Sequence, residues 1–114
     1  MDRALEDFRA AEYLLRGGYY DLAAFHAQQA AEKALKALWL ERFNKLPPRT
    51  HVLQNLAREL GLDDIIESAR FVSSVYYISR YPDAGPRLEL QDAVNVLTHA
   101  EKIINRVKEV LAWA

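Results

Sequence analysis

The sequence predicts an all-α fold, an up-and-down bundle of four main helices plus one short helix. Three observations carry that prediction. Apolar residues recur at three- and four-residue spacing in one segment after another, the connections between segments hold Gly or Pro, and no segment alternates polar and apolar residues as a half-buried strand would. Short connections then make successive helices antiparallel neighbours.

The first helix is predicted over Asp2 to Arg16, with Ala4, Phe8, Ala11 and Leu15 on one side and Arg3, Glu6, Arg9 and Arg16 in water. Gly17-Gly18 ends it, because glycine accepts the left-handed turn that follows a helix. Tyr19-Tyr20-Asp21 leads into a long second helix running to about Phe43, before Asn44 and Pro47-Pro48. Along it, Ala27, Ala30, Ala31, Ala34 and Leu38 form a seam of mostly small side chains that lets a neighbouring helix approach closely. Thr50 is the candidate N-cap of a short helix carrying Leu53, Leu56 and Leu60, closed by Gly61. Asp63 is the candidate cap of the next, in which Ile65, Ala69, Val72 and Tyr76 share a face. Pro82-Asp83-Ala84-Gly85-Pro86 breaks the helical pattern most strongly, as a loop between elements rather than a domain linker. From Gln91 onward Ala93, Leu97, Ala100, Ile104, Val107 and Leu111 mark the last helix.

Composition narrows the function classes. With 114 residues the chain fits one domain, residues 1–114, and 51% hydrophobic residues supply enough apolar surface to fold it. Fifteen basic against sixteen acidic residues leave a formal charge of -1, so no global positive field draws the protein to nucleic acid or membrane, and any RNA contact is a local patch. The absence of cysteine excludes disulfides and thiolate chemistry, and three histidines set a low ceiling on metal sites. No cofactor is expected. An amphipathic start without a long apolar run predicts a cytoplasmic protein with no membrane association.

Three constellations could carry chemistry. His26, Gln29 and Lys33, with Glu32 and Lys36 beside them, share one face of the second helix; they make either a solvated surface or a polar groove for phosphate or a nucleobase. Arg80-Tyr81-Pro82-Asp83 either terminates a helix or offers a guanidinium for phosphate and an aromatic stacking face. Arg49-Thr50-His51 after two prolines is either a turn and helix cap or a secondary site whose imidazole moves a proton. His99 reads as a structural or surface residue. Phosphate loops, dinucleotide fingerprints, zinc helices and nucleophile elbows are missing from the sequence.

Taken in order, Gly17-Gly18-Tyr19-Tyr20-Asp21, the run Ala24-Phe25-His26-Ala27-Gln28-Gln29-Ala30-Ala31-Glu32-Lys33-Ala34-Leu35-Lys36-Ala37-Leu38, then Arg49-Thr50-His51 and Arg80-Tyr81-Pro82-Asp83 resemble the HEPN domain. The resemblance spans nearly the whole chain, and it implies a helical bundle. One group of this family comprises metal-independent RNases, often toxins, marked by an arginine, four to six residues and a histidine. No arginine here has a histidine at that separation; Gly85, Pro86 and Arg87 stand where it would follow Arg80. The group for proton transfer at the ribose is therefore missing from its usual place. The other group is similar to helical partners of minimal nucleotidyltransferases and is thought to help bind the nucleotide or substrate.

The resemblance thus implies a non-catalytic, homodimeric module that binds a nucleotide or phosphate and pairs with a separate nucleotidyltransferase. His26, Gln29, Lys33, Arg80, Tyr81 and Asp83 are its expected site, with Arg49 and His51 secondary. In this reading the groups at 26, 33 and 80 share one cavity. Tyr76, Tyr77 and Tyr81 are candidates for the dimer interface. The alternatives are an RNase with an atypical base, His26 or His51, and a purely structural dimerisation unit.

Overall fold

The computed structural model describes residues 1–75 and 87–113, and of Trp113 only the backbone. The elements are α1 (Asp2–Arg16), α2 (Tyr20–Phe43), α3 (Leu53–Glu59), a 3₁₀ turn (Asp63–Ile65), α4 (Ile66–Ser74) and α5 (Leu90–Trp113). Described residues contain no strand, and the fold is the all-α bundle that apolar periodicity implies. Arg80, Tyr81, Asp83, the loop from Pro82 to Pro86 and the three clustered tyrosines Tyr76, Tyr77 and Tyr81 lie outside the described residues.

Helix α2 is central, packed along much of its length against both α1 and α5. That position explains its sequence. A helix covered on two sides needs a broad apolar surface, and small residues let two neighbours approach it together. Ala23, Ala24, Ala27, Ala30, Ala31 and Ala34 are each 0% exposed. Around them pack Leu35 and Leu38, Leu53 and Leu56 from α3, Ala69 and Val72 from α4, and Ala100, Ile103, Ile104 and Val107 from α5.

Two helix ends close by the same device. After α1, the Tyr19 N–H donates to the Leu14 carbonyl at 2.9 Å and the Gly18 N–H to Leu15 at 3.1 Å. After α3, Leu62 donates to Ala57 at 2.9 Å and Gly61 to Arg58 at 3.0 Å. Both motifs require a left-handed residue, supplied by Gly18 at φ +84° and Gly61 at φ +74°. Asn44 stops α2 in the same region of backbone space, at φ 52°.

Two expected caps are not formed. The Thr50 hydroxyl accepts the Val52 N–H at 3.0 Å, a turn that precedes the helix. The first N–H of α3, that of Leu53, instead donates to Ser73 Oγ at 2.7 Å, and Ser73 donates onward to the His51 carbonyl at 3.1 Å. A hydroxyl from α4 thus does the work assigned to a local one. Asp63 opens the 3₁₀ turn and makes no side-chain cap. Asp64 beside it accepts from Arg106 of α5 at 2.9 Å, so that acidic pair serves the bundle contact. His99 is structural as expected. Its Nδ1 lies 3.0 Å from the buried Ser68 Oγ, and its ring packs at 4.6 Å against Phe71.

Candidate polar site on the central helix

At 3.6 residues per turn, Gln28, Glu32, Lys36, Gln29, Lys33 and His26 follow one another around less than half of α2. The buried members of this arc organise the exposed ones. Glu32, whose side chain is 9% exposed, accepts from Gln28 Nε2 at 3.2 Å and from Lys36 Nζ at 3.1 Å. His51 Nδ1 reaches the same carboxylate at 2.7 Å from the loop before α3. Gln29 Nε2 donates to Gln28 Oε1 at 2.7 Å. Gln29, Gln28, Glu32 and His51 are thereby one connected chain of hydrogen bonds, and Lys36 balances its charge.

A second carboxylate organises the other end. Asp7 of α1 accepts from Lys33 Nζ at 2.5 Å, and His26 Nδ1 lies 3.9 Å from its other oxygen. That distance exceeds a hydrogen bond, and His26 Nδ1 is buried with no hydrogen-bond partner among the described residues. Its ring meets Phe25 edge-on, with centroids 5.4 Å apart.

Of the residues expected to form a site, the structure brings His26 and Lys33 together around Asp7, and Gln29 and His51 together through Gln28 and Glu32. Arg49 is exposed on the loop, without a described partner placing it in either group. Sequence reasoning passed over Asp7 and Gln28 and set Glu32 beside the stripe rather than at its centre. Position 28 carried a usable signal, since Gln28 falls four residues before Glu32 and interrupts the small-residue face. Asp7 had none, its partners being 19 and 26 residues further along the chain.

Lys33 and Lys36 also line an open groove of about 540 Å³, bounded by Met1 to Ala4 at the start of α1 and by Ala37, Leu40 and Pro47. Each ammonium has three donors, so the bonds to Asp7 and Glu32 leave donors over for a ligand. Another concavity, of about 370 Å³, lies by Tyr19, Tyr20, Arg87 and Leu88, where Asp21 Oδ1 accepts the Leu88 N–H at 2.9 Å. No group of three or more His, Asp or Glu among the described residues is placed to hold a metal ion. Nor is any described helix long and apolar enough to cross a membrane.

The bundle and its polar arc match known proteins closely. A family model of the HEPN domain matches residues 1–110. The chain belongs to the HEPN domain family. Among solved HEPN-like structures, TT1696 from Thermus thermophilus superposes with a TM-score of 0.81 at 34% identity, covering 95% of this chain and 92% of that one. ST0689, described as an archaeal HEPN homologue, gives 0.76 at 37% identity, with 95% and 91% covered. A curated relative, "Putative toxin MJ1304" of Methanocaldococcus jannaschii, is 28% identical over 96% of this chain and 84% of its own length. In this HEPN domain the central helix is therefore both the packing axis and the carrier of the polar arc.

Proposed function

We propose that this chain is a non-catalytic HEPN module, acting as a homodimer, that binds a nucleotide or phosphate and pairs with a minimal nucleotidyltransferase. The observation that carries the ligand part is the groove beside α2. Lys33 and Lys36 line it, and each is held in place by a carboxylate while keeping donors for a phosphate. Its volume, about 540 Å³, suits a small polar ligand. His26 and Gln29 stand on the same arc and would supply directional hydrogen bonds to a base or sugar. Arg80, Tyr81 and Asp83 join this site in the reading as the phosphate clamp, stacking face and turn. The missing arginine-to-histidine pair favours binding over cleavage.

Calorimetry of the purified protein with ATP, GTP and inorganic phosphate, against a Lys33→Ala, Lys36→Ala double variant, tests this site. Heat in the parent that vanishes in the variant is the expected outcome. No heat with any of the three ligands removes the nucleotide part. Pairing is tested separately by sedimentation of the protein mixed with a minimal nucleotidyltransferase of its own source organism.

A second reading, metal-independent RNA cleavage, is favoured by one contact. The buried Glu32 carboxylate holds Nδ1 of His51, whose side chain is 48% exposed, and a carboxylate that orients an exposed imidazole is one requirement of general acid-base catalysis. The name of the M. jannaschii relative agrees with a toxin role. A metal-free RNA cleavage assay separates the readings: activity abolished by His51→Ala or His26→Ala establishes the second and displaces the first.

A further inference from the structure

The end of α2 and the loop after it differ in character from the rest of the chain. Between residues 33 and 49 stand Lys33, Lys36, Arg42, Lys45 and Arg49 against Glu41 alone, although the whole chain is balanced at -1. Large apolar side chains are exposed among them: Leu40 at 49%, Phe43 at 39% and Leu46 at 87%. Leu40 is also a wall of the 540 Å³ groove, whose far side is Pro47, the neighbour of Leu46. Leu40 and Phe43 are three residues apart on one helix, and Phe43 is braced edge-on against Trp39 with centroids at 4.6 Å. An apolar strip therefore runs out of the groove and over the end of the helix, with cations beside it.

We infer that this strip is a docking surface for an acidic amphipathic segment of a partner protein, its apolar side chains on Leu40, Phe43 and Leu46 and its carboxylates against Lys45 and Arg49. Charge complementarity chooses the occupant. Arg42, Lys45 and Arg49 are exposed with one nearby acid, so an acidic segment is attracted and a basic one repelled. Aliphatic Leu40 and Leu46 give a nucleic acid nothing to stack on, and single strands bind through aromatic faces. A lipid surface is flat and leaves a concavity unfilled, whereas a helical segment can seat a side chain in it. The inference rests on the pairing part of the proposed function and assigns it a place.

The probe is a labelled helical peptide with leucines at helical spacing and glutamates elsewhere, followed by fluorescence anisotropy. Controls are the same peptide with lysines for glutamates, a single-stranded RNA and anionic phosphatidylglycerol vesicles. The parent protein is expected to bind the acidic peptide and not the lysine peptide. Leu46→Glu and the Lys45→Glu, Arg49→Glu pair should each weaken binding about tenfold or more, with unchanged circular dichroism because these side chains are exposed. Failure to bind the acidic peptide, preference for RNA or vesicles, or a Leu46→Glu variant that changes only the self-association of the protein would overturn the assignment. The same variants in the sedimentation experiment separate it from its premise. Acidic-peptide binding without nucleotidyltransferase pairing sinks the pairing and leaves the surface standing; pairing undiminished in the Leu46→Glu variant sinks the surface and leaves pairing standing.

Discussion

Replacing Glu32 by alanine removes a carboxylate that three side chains share, and its cost can be worked out partner by partner. Lys36 and His51 have side chains that are 23% and 48% exposed, so water recovers most of what they lose. Gln28 is 0% exposed and cannot turn to water. Its amide would be left with an unsatisfied buried donor, costing about 1–3 kcal/mol, and loss of the charge-assisted bonds at the half-exposed partners adds less, roughly 1 kcal/mol, after allowance for solvent. The total is about 2–4 kcal/mol, which lowers the melting temperature of a domain this size by roughly 8–16 °C. Thermal unfolding followed by circular dichroism measures it. His51→Ala should cost much less, about 1 kcal/mol or below, because an exposed imidazole leaves few buried groups stranded. Equal losses in the two variants, or a Glu32→Ala change under about 1 kcal/mol, would refute the idea that Gln28 is the dependent partner. A Gln28→Leu, Glu32→Leu double variant sharpens the test: with both polar groups gone, it should recover much of the stability lost by Glu32→Ala.

Thr50→Ala should be nearly neutral in denaturant unfolding, whereas Ser73→Ala should cost about 0.5–2 kcal/mol, since Ser73 holds the first N–H of α3. Gly18→Ala and Gly61→Ala should each lose roughly 1–2 kcal/mol through backbone strain, because a Cβ at either position meets nothing within 4 Å and only φ is at fault. Ala30→Leu should cost about 1–3 kcal/mol by overpacking a seam that is 0% exposed, read as a lower urea midpoint. Ile104→Asp, which puts an unpaired charge into a position 3% exposed, should lose several kcal/mol, and a parent-like melting temperature would refute its core placement.

The helices were legible because their signals are local. Ala4 and Ala11, Leu53 and Leu56, Ala93 and Ile104 repeat at helical spacing, and Gly18 and Gly61 stand where left-handed closures fall. What the sequence hid is what joins distant segments. Thr50 and Asp63 are plausible caps by composition, yet the donor at Leu53 found Ser73, which lies 20 residues away. In the candidate site, the shared face of His26, Gln29 and Lys33 followed from periodicity, but whether its charges are satisfied depends on Asp7 from another helix and His51 from a loop. Periodicity reports which side chains share a face, and only packing decides which of them meet a counter-charge.

That distinction changes the kind of ligand the polar arc can take. A row of unpaired ammonium groups would bind any polyanion with a steep salt dependence, as nucleic-acid surfaces do. Here Lys33 is tied to Asp7 and Lys36 to Glu32, so each cation carries its own counter-charge and the net field over the groove is weak. Recognition on this face has to come from fixed hydrogen-bond geometry, which discriminates between ligands better than it attracts them. The unbalanced charge lies further along, around Lys45 and Arg49, next to exposed leucines and not among hydrogen-bonding amides. One helix thus separates two kinds of surface, a braced polar arc suited to a small ligand and a cationic apolar end suited to a protein segment. Salt should tell them apart: raising ionic strength should weaken binding at the helix end far more than binding in the groove.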